Sequence, residues 1–494
     1  MGDIVSDVIL VFPATGFDRP KVSIDLPLSL LAAANLVSRE FSIRIIDQRL
    51  EPYWQDLLKQ ELKYNPLCVG VTAMTGPQIF YALEVAKIVK ENSDVPLVWG
   101  GVHGTLQPDQ TLQHPNVDIV VIGEGEYSFL ELVRVLASKH QFSSVRGIAF
   151  KHKGRIVRTE TPPTVDLERL PMLPYHLVDV ERYIGSQGRF PDKKIRSLIF
   201  FSSRGCPFRC AYCCNPALYH STWRSLSAER TFQQASELAI KFKLDAVTFH
   251  DEDLFISKHR IEKLADLIGG RFLWWGQSRM DRIAKMDLTK LERGGLRALQ
   301  PGIESGSDRV LRMIHKGETV ATVLKANRAL ARTGIVPLYN FMMGFPTETY
   351  DELMESVDLA AKLLDENPRA ELTGFYVFIP YPGTELFKVA VKEGFRPPES
   401  LEGWSTFNRQ RLFTPWMTSR PELYHAIMMM SKFVDRTRMI RRLRDHSDAD
   451  LLGLFLLRQL ARLYRYRWGR HEFEKSLENK LTSWVSNRLF HWEG

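Results

Sequence analysis

Four of the five cysteines lie between residues 206 and 214, and they form the strongest chemical signal in the sequence. Cys206, Cys210 and Cys213 have a three-then-two spacing, and Cys206 follows closely on an apolar, strand-like run. Three thiolates can hold a four-iron cluster and leave one iron open to another ligand, as a cluster that does chemistry requires. The spacing therefore predicts a catalytic [4Fe-4S] cluster on these three cysteines.

A zinc site is the alternative, with Cys214 or a histidine such as His220 as the fourth ligand. Zinc sites usually combine two separated, short-spaced pairs of ligands, and the sequence contains no second pair. We interpret Cys214 as a packing residue, with a redox role left open. Cys68 lies inside a strand-like run and is interpreted as a small buried hydrophobic residue.

Two series of strand-like runs must position these residues. Between Asp7 and about Ala137, five apolar runs alternate with amphipathic helical stretches, which predicts an open parallel sheet with helices on both faces. Six further runs between Leu198 and Ile379 predict a partial barrel whose site lies at the strand ends. The predicted fold class is α/β: a doubly wound, Rossmann-like amino-terminal domain, a partial (β/α)6 TIM-like barrel and a helical carboxyl-terminal region.

The predicted domain boundaries follow shifts in composition. Residues 1–140 form the amino-terminal domain, and residues 141–195 form a connector that contains a short hairpin and several prolines. Residues 196–400 form the barrel. Residues 401–494 form a helical, basic region.

Small, polar and acidic residues follow the strand-like runs of the first domain. Ligands of doubly wound sheets bind at the carboxyl ends of the strands, where glycines let a large flat molecule approach the backbone. The candidate binding residues are Thr72, Thr75, Gly100, Gly101, His103, Gly123, Glu124, Gly125 and Glu126. A dinucleotide is disfavoured, because the first run ends at Phe12 to Gly16 without a Gly-x-Gly-x-x-Gly sequence.

The cysteine spacing, with the aromatic residue Tyr212 before the last cysteine, resembles the signature of the radical S-adenosylmethionine (SAM) superfamily. The resemblance implies that SAM chelates the open iron through its amino and carboxylate groups. One-electron reduction then cleaves SAM to a 5′-deoxyadenosyl radical, which abstracts hydrogen from the substrate. Such chemistry is supplied by the cofactor, while the protein orients the reactants and excludes water.

The same resemblance assigns SAM contacts to later strand ends. Besides Tyr212, the implied contacts are Asp251 and Glu252 for the amino group, Arg279 for the carboxylate, and Glu304 with Ser305 for the ribose. Residues 334–337 resemble the adenine-side segment. The sequence departs from the family in having His250 to Asp253 where a Gly-Gly-Glu-like segment is usual.

A doubly wound domain before such a barrel resembles the cobalamin-binding subgroup of the superfamily. The strand-end residues of the first domain would then lie against the corrin ring. The Asp-x-His-x-x-Gly motif that supplies a cobalt-ligating histidine in many cobalamin proteins is absent. We therefore expect cobalamin with its own base displaced and no histidine on cobalt. His103 is either a neighbour of the lower face or a hydrogen-bonding loop histidine.

The implied reaction is methyl transfer to an unactivated carbon. Alternatives are a radical cyclisation or rearrangement with the same cofactors, as in tetrapyrrole cyclases, and a cobalamin-binding electron-transfer or sensor protein. A methylthiotransferase needs a second trio of cysteines near the amino terminus, where only Cys68 occurs. Expected partners are a small-molecule or lipid-like substrate and an electron donor such as flavodoxin or ferredoxin.

The net charge of +8 is mild for 494 residues, and the positive excess lies near the carboxyl terminus. Arginines recur among apolar residues between Lys432 and Arg470, which predicts amphipathic helices that pack on the barrel. The alternative is contact with anionic lipid, with Trp468, Trp484 and Trp492 as anchors. No nucleic acid partner is expected. Neither a signal peptide nor a membrane-spanning run is evident, so a cytoplasmic protein with membrane association as an option is expected.

Overall fold

The computed structural model describes residues 5–16, 18, 24–185, 189–190, 195–407, 411, 413–435 and 451–473. Two mainly parallel sheets dominate these residues. The strands are β1 (Val8–Phe12), β2 (Ile43–Asp47), β3 (Cys68–Thr72), β4 (Leu97–Gly100), β5 (Ile119–Val121), β6 (Ile148–His152), β7 (Arg155–Arg158), β8 (Ser197–Phe200), β9 (Ser203–Gly205), β10 (Trp223–Ser225), β11 (Ala246–Phe249), β12 (Leu273–Ser278), β13 (Leu296–Glu304), β14 (Val336–Met343) and β15 (Glu371–Val377).

The first sheet has the strand order β2-β1-β3-β4-β5-β6-β7, and β1 to β5 are parallel. The order reverses at β1, which is the switch point where doubly wound sheets bind ligands. Its helices are α1 (Leu28–Val37), α2 (Trp54–Leu62), α3 (Gln78–Asn92), α4 (Gly101–Leu106), α5 (Pro108–Gln113) and α6 (Gly125–Ser138). Apolar cores lie on both faces of the sheet. The predicted doubly wound fold is confirmed.

The hairpin β6–β7 continues this sheet, because β6 pairs antiparallel with β5. By strand pairing the first sheet therefore extends to Arg158, beyond the predicted boundary at residue 140. The free edge of β5 needs hydrogen-bonding partners, and a two-stranded hairpin supplies them without a crossover. The sequence pattern marks the hairpin but contains no signal for the strand beside which it lies.

The second sheet is parallel throughout and has the order β15-β14-β13-β12-β11-β8. All six predicted runs form its strands, and the order follows the chain as in a partial barrel. The barrel helices are α7 (Asn215–Tyr219), α8 (Ala228–Lys241), α9 (Lys258–Ile268), α10 (Met280–Ile283), α11 (Leu288–Arg293), α12 (Asp308–Met313), α13 (Val320–Leu330), α14 (Tyr350–Glu366) and α15 (Glu385–Lys392). Short 3₁₀ helices lie at Phe142–Ser144, Leu167–Arg169, Tyr175–Leu177, Val180–Tyr183 and Glu402–Thr406.

The carboxyl-terminal region contains α16 (Pro415–Thr418), α17 (Pro421–Val434) and α18 (Leu451–Trp468). Helix α17 packs against β15 and contacts α18. Trp468 is buried, and its Nε1 donates to the carbonyl of Val357 at 2.9 Å. Trp468 is therefore not available as the anchor that the lipid-contact alternative requires, because its ring is buried against Phe375 and Phe473.

Two other residues of the carboxyl-terminal region also pair with acids of α14. Arg465 contacts Asp365, and His471 Nε2 lies 2.8 Å from Asp358 Oδ1. The arginines at 436–444 and the predicted anchors Trp484 and Trp492 lie outside the described residues. Of the helices that the structure describes, none combines the length and the apolar character needed to span a bilayer.

Candidate functional site at the junction of the two sheets

The cysteine loop leaves the barrel after β8 and is closed at its base by a short antiparallel ladder. Strand β9 pairs with β10, and Gly205 lies opposite Trp223. Gly205 has a φ of +80°, and a Cβ there would lie 2.2 Å from the carbonyl oxygen of Thr222. Only glycine fits this position, so the residue before Cys206 holds the two ends of the loop together.

The middle of the loop is tied to two other barrel segments through one residue. The amide of Ala211 donates to the carbonyl of Ile314 at 2.9 Å, and the amide of Leu386 donates to the carbonyl of Ala211 at 2.9 Å. Tyr212 extends this attachment, because its hydroxyl donates to Glu304 Oε1 at 2.8 Å. The loop is thus fixed against the carboxyl end of β13 before any cofactor binds.

The three predicted cluster ligands lie partly buried in this loop. Burial raises the pKa of each of their thiols. Such thiols form thiolates only beside a strong positive charge, which iron supplies in a cluster. The Asn215 amide lies 3.5 Å from Cys213 Sγ and Arg279 Nη1 lies 3.9 Å from Cys210 Sγ, so donors already face two of the sulfurs. This donor set fits an iron-sulfur cluster.

Within the described residues, no three histidine, cysteine or acidic side chains converge as ligands of one metal ion. A four-iron cluster places each cysteine on a different iron, so its thiolates need not converge on one point. Cys214 caps helix α7 beside the third ligand, and Cys68 is fully buried in β3. Burial raises the pKa of the Cys68 thiol to about 12, as expected for a packing residue.

A buried donor and a buried acceptor beside the loop have atoms without partners. Arg279 follows β12, stacks 3.7 Å above the centroid of Phe208 and donates through Nε to Asp281, but its Nη2 has no hydrogen-bond partner. Asp253 accepts from the amide of Phe255 through Oδ1, while Oδ2 has no partner. Burial raises the pKa of Asp253 to about 7. A ligand with a carboxylate and an ammonium group would complete both.

The acids named from the sequence are already engaged. Asp251 accepts from the amides of Ser202 and Ser203 at 2.6 and 2.5 Å, and Glu252 accepts from the amide of Gly205 at 3.1 Å. Both therefore hold the β8–β9 turn in place. In the segment at residues 250–253, Asp253 is the acid with a free buried oxygen, and the sequence assignment omitted it.

The predicted ribose contacts also serve the scaffold. Glu304 Oε1 accepts from Tyr212 and from Lys316 Nζ, the latter at 3.1 Å. Glu304 has a φ of +67°, which is uncommon for a residue other than glycine, and the β13–β14 register shifts at this position. The Ser305 hydroxyl is fully buried against Ser356 Oγ, 3.2 Å away on α14.

The segment at residues 334–337, which resembled an adenine-side contact, lies elsewhere. It precedes and begins β14, and therefore occupies the amino end of that strand. The cysteine loop follows the carboxyl end of the parallel strand β8. The expected contact is wrong, because the two lie at opposite edges of the sheet.

A cavity of about 330 Å³ lies between the first sheet and the barrel segments that flank the cysteine loop. One wall consists of the ends of β3, β4 and β5, and the other consists of β9, α7 and the residues after β11. An apolar extension lies between the sheet and helices α1 and α6, lined by Leu10, Leu30, Gly70, Val98 and Phe129. The cavity therefore combines a flat face at the strand ends with an apolar slot.

Most of the predicted strand-end residues line this cavity. They are Thr72, Gly100, Gly101, Gly123, Glu124, Gly125 and Glu126. Gly123 has a φ of +79° with open space where a Cβ would stand, and a Cβ on Gly101 would lie 2.6 Å from Thr72 Oγ1. Glu126 is buried, and its Oε2 has no partner. A flat molecule rimmed with amide donors, such as a corrin, fits these groups.

Thr75 and His103 do not line the cavity. Thr75 Oγ1 and His103 Nδ1 form a hydrogen bond of 2.9 Å, and the imidazole lies 5.7 Å from the Trp404 ring. Burial lowers the pKa of His103 to about 4, so it is neutral near pH 7. Of the two roles expected for His103, the structure fits the hydrogen-bonding histidine, because the side chain lies outside the cavity lining. Among the described residues, the one histidine lining the cavity is His250, from the barrel.

Fold and site together define an enzyme in which a doubly wound domain presents a cofactor cavity to the cysteine loop of a parallel barrel. Residues 200–360 match the Radical SAM superfamily, and residues 21–133 match the B12 binding domain. The chain belongs to the radical SAM superfamily and to its cobalamin-binding members, with a [4Fe-4S] cluster, SAM and cobalamin as cofactors. The predicted family, fold class and cofactors are confirmed.

Known proteins resemble the chain over most of its length. An uncharacterized methyltransferase of Pyrococcus horikoshii is 31% identical over 397 residues, which cover 78% of this chain and 83% of that protein. An anaerobic magnesium-protoporphyrin IX monomethyl ester cyclase of Rubrivivax gelatinosus is 29% identical over 69% of this chain and 62% of its own. The cobalamin-dependent SAM radical enzyme OxsB, solved with aqua-cobalamin and SAM bound, shares the fold with a TM-score of 0.67 at 17% identity, covering 99% of this chain and 85% of OxsB.

Proposed function

We propose that this enzyme transfers a methyl group to an unactivated carbon of its substrate. The observation that carries the proposal is the shared wall: β9 and α7, which flank the cluster cysteines, also line the cavity at the strand ends of the first sheet. When bound there, SAM on the cluster supplies a hydrogen-abstracting radical and cobalamin supplies the methyl group. The chain's own task is to hold both groups and the substrate in one enclosed space.

The residues that would hold SAM are those with unused buried atoms beside the cysteines. Arg279 Nη2 would donate to its carboxylate, and Asp253 Oδ2 would accept from its ammonium group. Glu304 and Lys316 would act indirectly, because they hold Tyr212 and hence the loop. Ser305 and Asp251 would support the backbone turns on which these contacts depend.

The residues that would hold cobalamin are Thr72, Gly100, Gly101, Gly123 and the acids at the start of α6. The glycines bring the backbone close to the ring, and Glu126 Oε2 accepts from a side-chain amide. The apolar slot between α1 and α6 would take the displaced aromatic base. No described histidine on this wall faces the cavity, which supports binding without a histidine on cobalt.

A radical cyclase or rearrangement enzyme is the second candidate, favoured by the similarity to the Rubrivivax gelatinosus cyclase. Both reactions would use the same cofactor sites. They differ in the fate of the SAM methyl group, which reaches the product only in the methyltransferase.

The substrate is a small molecule and the enzyme needs a redox partner. We propose flavodoxin or ferredoxin as the electron donor, because the cluster must be reduced by one electron. A lipid-like substrate and peripheral membrane contact stay open proposals. The pairing of Arg465 and His471 with acids of α14 leaves less basic surface for such contact.

The test is anaerobic reconstitution with iron, sulfide and hydroxocobalamin, followed by reductant and SAM labelled with ¹³C in its methyl group. We expect labelled methylcobalamin by mass spectrometry and 5′-deoxyadenosine from SAM. Addition of a small-molecule extract of the source cells should then transfer the label to one product. Formation of 5′-deoxyadenosine without labelled methylcobalamin or labelled product would favour the cyclase, and failure to bind cobalamin would refute both candidates.

A further inference from the structure

Four charged side chains cross the junction between the first sheet and the base of the cysteine loop. Arg204 on β9 donates through Nη1 to Glu124 Oε1 at 2.9 Å and through Nη2 to Glu126 Oε1 at 2.5 Å. Arg224 on β10 donates through Nη1 to Glu124 Oε2 at 2.8 Å and through Nη2 to Glu124 Oε1 at 3.0 Å. We call these four residues the junction clamp.

The clamp joins the two cofactor walls directly. Arg204 lies two residues before Cys206, and Glu124 caps the start of α6 next to Gly123, whose backbone faces the cavity. Arg204 and Arg224 are register partners on neighbouring strands, where like charges repel. Glu124 between them removes that repulsion, so the hairpin and α6 depend on each other.

Stabilising the contact between the first sheet and the barrel does not by itself explain why these charged side chains are buried there. The side chain of Arg204 is 10% exposed and that of Glu126 is 1% exposed, and burying ions costs more than burying apolar groups of the same volume. Forked contacts from guanidinium to carboxylates add direction, which apolar packing lacks. Forked ion pairs would be favoured where the two parts of the molecule must keep one particular distance and orientation.

We propose that the junction clamp is a positioning device that sets the separation between the cluster and the cobalamin. This inference rests on the proposed function only for the placement of cobalamin in the cavity. The clamp acts through the β9–β10 hairpin on one side and the β5–α6 loop on the other. Arg204 and Arg224 are positioning residues and take no part in bond making.

Arg224→Gln is the main variant, because Arg224 does not line the cavity while Arg204 does. Arg204→Lys keeps the charge and loses the fork. Arg309→Gln is the matched control: Arg309 forms a comparable forked pair with Glu352, at 2.5 and 2.6 Å, but within the barrel and away from the junction.

The first measurement is electron paramagnetic resonance on protein carrying the reduced cluster and cob(II)alamin, at saturating cobalamin. In the unmodified protein we expect the two spins to broaden each other's signals. Arg224→Gln and Arg204→Lys should narrow the cob(II)alamin signal toward that of a protein without the cluster, at unchanged iron and cobalt content. Unchanged broadening in both variants would overturn the proposal.

The second measurement, hydrogen exchange on the cofactor-free chain, separates this proposal from the proposed function. Loss of a charged hydrogen bond should speed amide exchange about tenfold in both residues 123–128 and residues 203–206. Arg309→Gln should leave both segments unchanged. If cobalamin never binds, the proposed function fails, but the hydrogen-exchange measurement still tests the junction clamp. If amide exchange speeds up in neither segment, the junction clamp is refuted.

Discussion

The two sheets present the carboxyl ends of their strands to the same cavity, but with different groups. The first sheet contributes backbone at glycines such as Gly101 and Gly123, surrounded by mostly apolar side chains. The barrel lines it with polar and charged side chains such as Arg204 and Glu252. Its thiols, with Arg279 and Asp253, lie beyond that lining, and hydrogen bonds hold the two charged side chains in place. The difference follows from the ligands: a macrocycle that carries its own metal needs a close-fitting surface, whereas a cluster needs ligands from the protein.

Removal of a cluster ligand should produce the largest effect and confine it to the barrel side. Cys210→Ala should abolish the cluster absorbance and lower SAM cleavage by about a thousandfold or more, since the open iron is lost. Cobalamin binding should persist, as measured by absorbance after reconstitution. The control is Cys214→Ala, which should keep the cluster. If Cys214→Ala lost as much iron as Cys210→Ala, the three-ligand assignment would be wrong.

Adding a side chain to the cavity at the first sheet should have the converse effect, namely loss of cobalamin with the cluster retained. Gly123→Val adds a side chain to the cavity and should weaken cobalamin binding by about a hundredfold, with the iron content unchanged. Gly154→Val is a matched control, because Gly154 has a φ of +74° and open space around it, as Gly123 does, but lies in the β6–β7 turn. If both variants lost cobalamin binding equally, the loss would come from backbone strain and not from filling the cavity.

The first sheet should lose stability at mildly acidic pH through His103. Its folded pKa of about 4 lies below the unfolded value, so between about pH 6.5 and 4 the unfolded chain binds a proton that the folded chain does not. Stability should therefore fall as the pH falls through this range, by about 2 kcal/mol at pH 5 from this residue. Denaturant unfolding at pH 7 and 5 measures it. His103→Gln should flatten the dependence, and an unchanged slope would contradict it.

A smaller loss of stability, at more acidic pH, is expected from an ion pair in the barrel. The hydrogen bonds from Arg309 lower the pKa of Glu352 to about 2, so this pair stabilises the fold above about pH 4.5 and the contribution is lost as the pH falls toward 2. Glu352→Gln should cost about 1 kcal/mol at pH 7, since Arg309 is partly exposed. The difference from the unmodified protein should shrink between pH 4.5 and 2. A difference independent of pH would point to packing instead.

Much of the fold was predictable because its signals are local. Apolar runs of strand length marked the strands of both parallel sheets, and the cysteine spacing predicts which three thiols hold the cluster. Seven of the nine strand-end residues proposed for the first domain line the cavity, because glycines after parallel strands meet at one edge. The hairpin at residues 148–158 was predictable, but its pairing with β5 was not, because strand pairing leaves no local pattern.

The contacts that organise the site were not predictable in this way. Arg204 and Arg224 lie 80 and 100 residues from Glu124, and Lys316 reaches Glu304 from a turn with no motif. Arg204 precedes the cysteine motif by only two residues, and that proximity is the one signal that could have drawn attention to it.

The sequence by itself determined which residues can carry the chemistry: three thiols at cluster spacing and a set of glycines that let a flat cofactor approach. Only the tertiary structure decided which charged groups face that chemistry. Asp251 and Asp253 are two residues apart. Asp251 accepts hydrogen bonds from amides of the β8–β9 turn, whereas Asp253 keeps a buried oxygen without a partner. The physical reason is that a side chain's role at a strand end depends on which donors the neighbouring loops bring to it, and those loops come from distant parts of the chain.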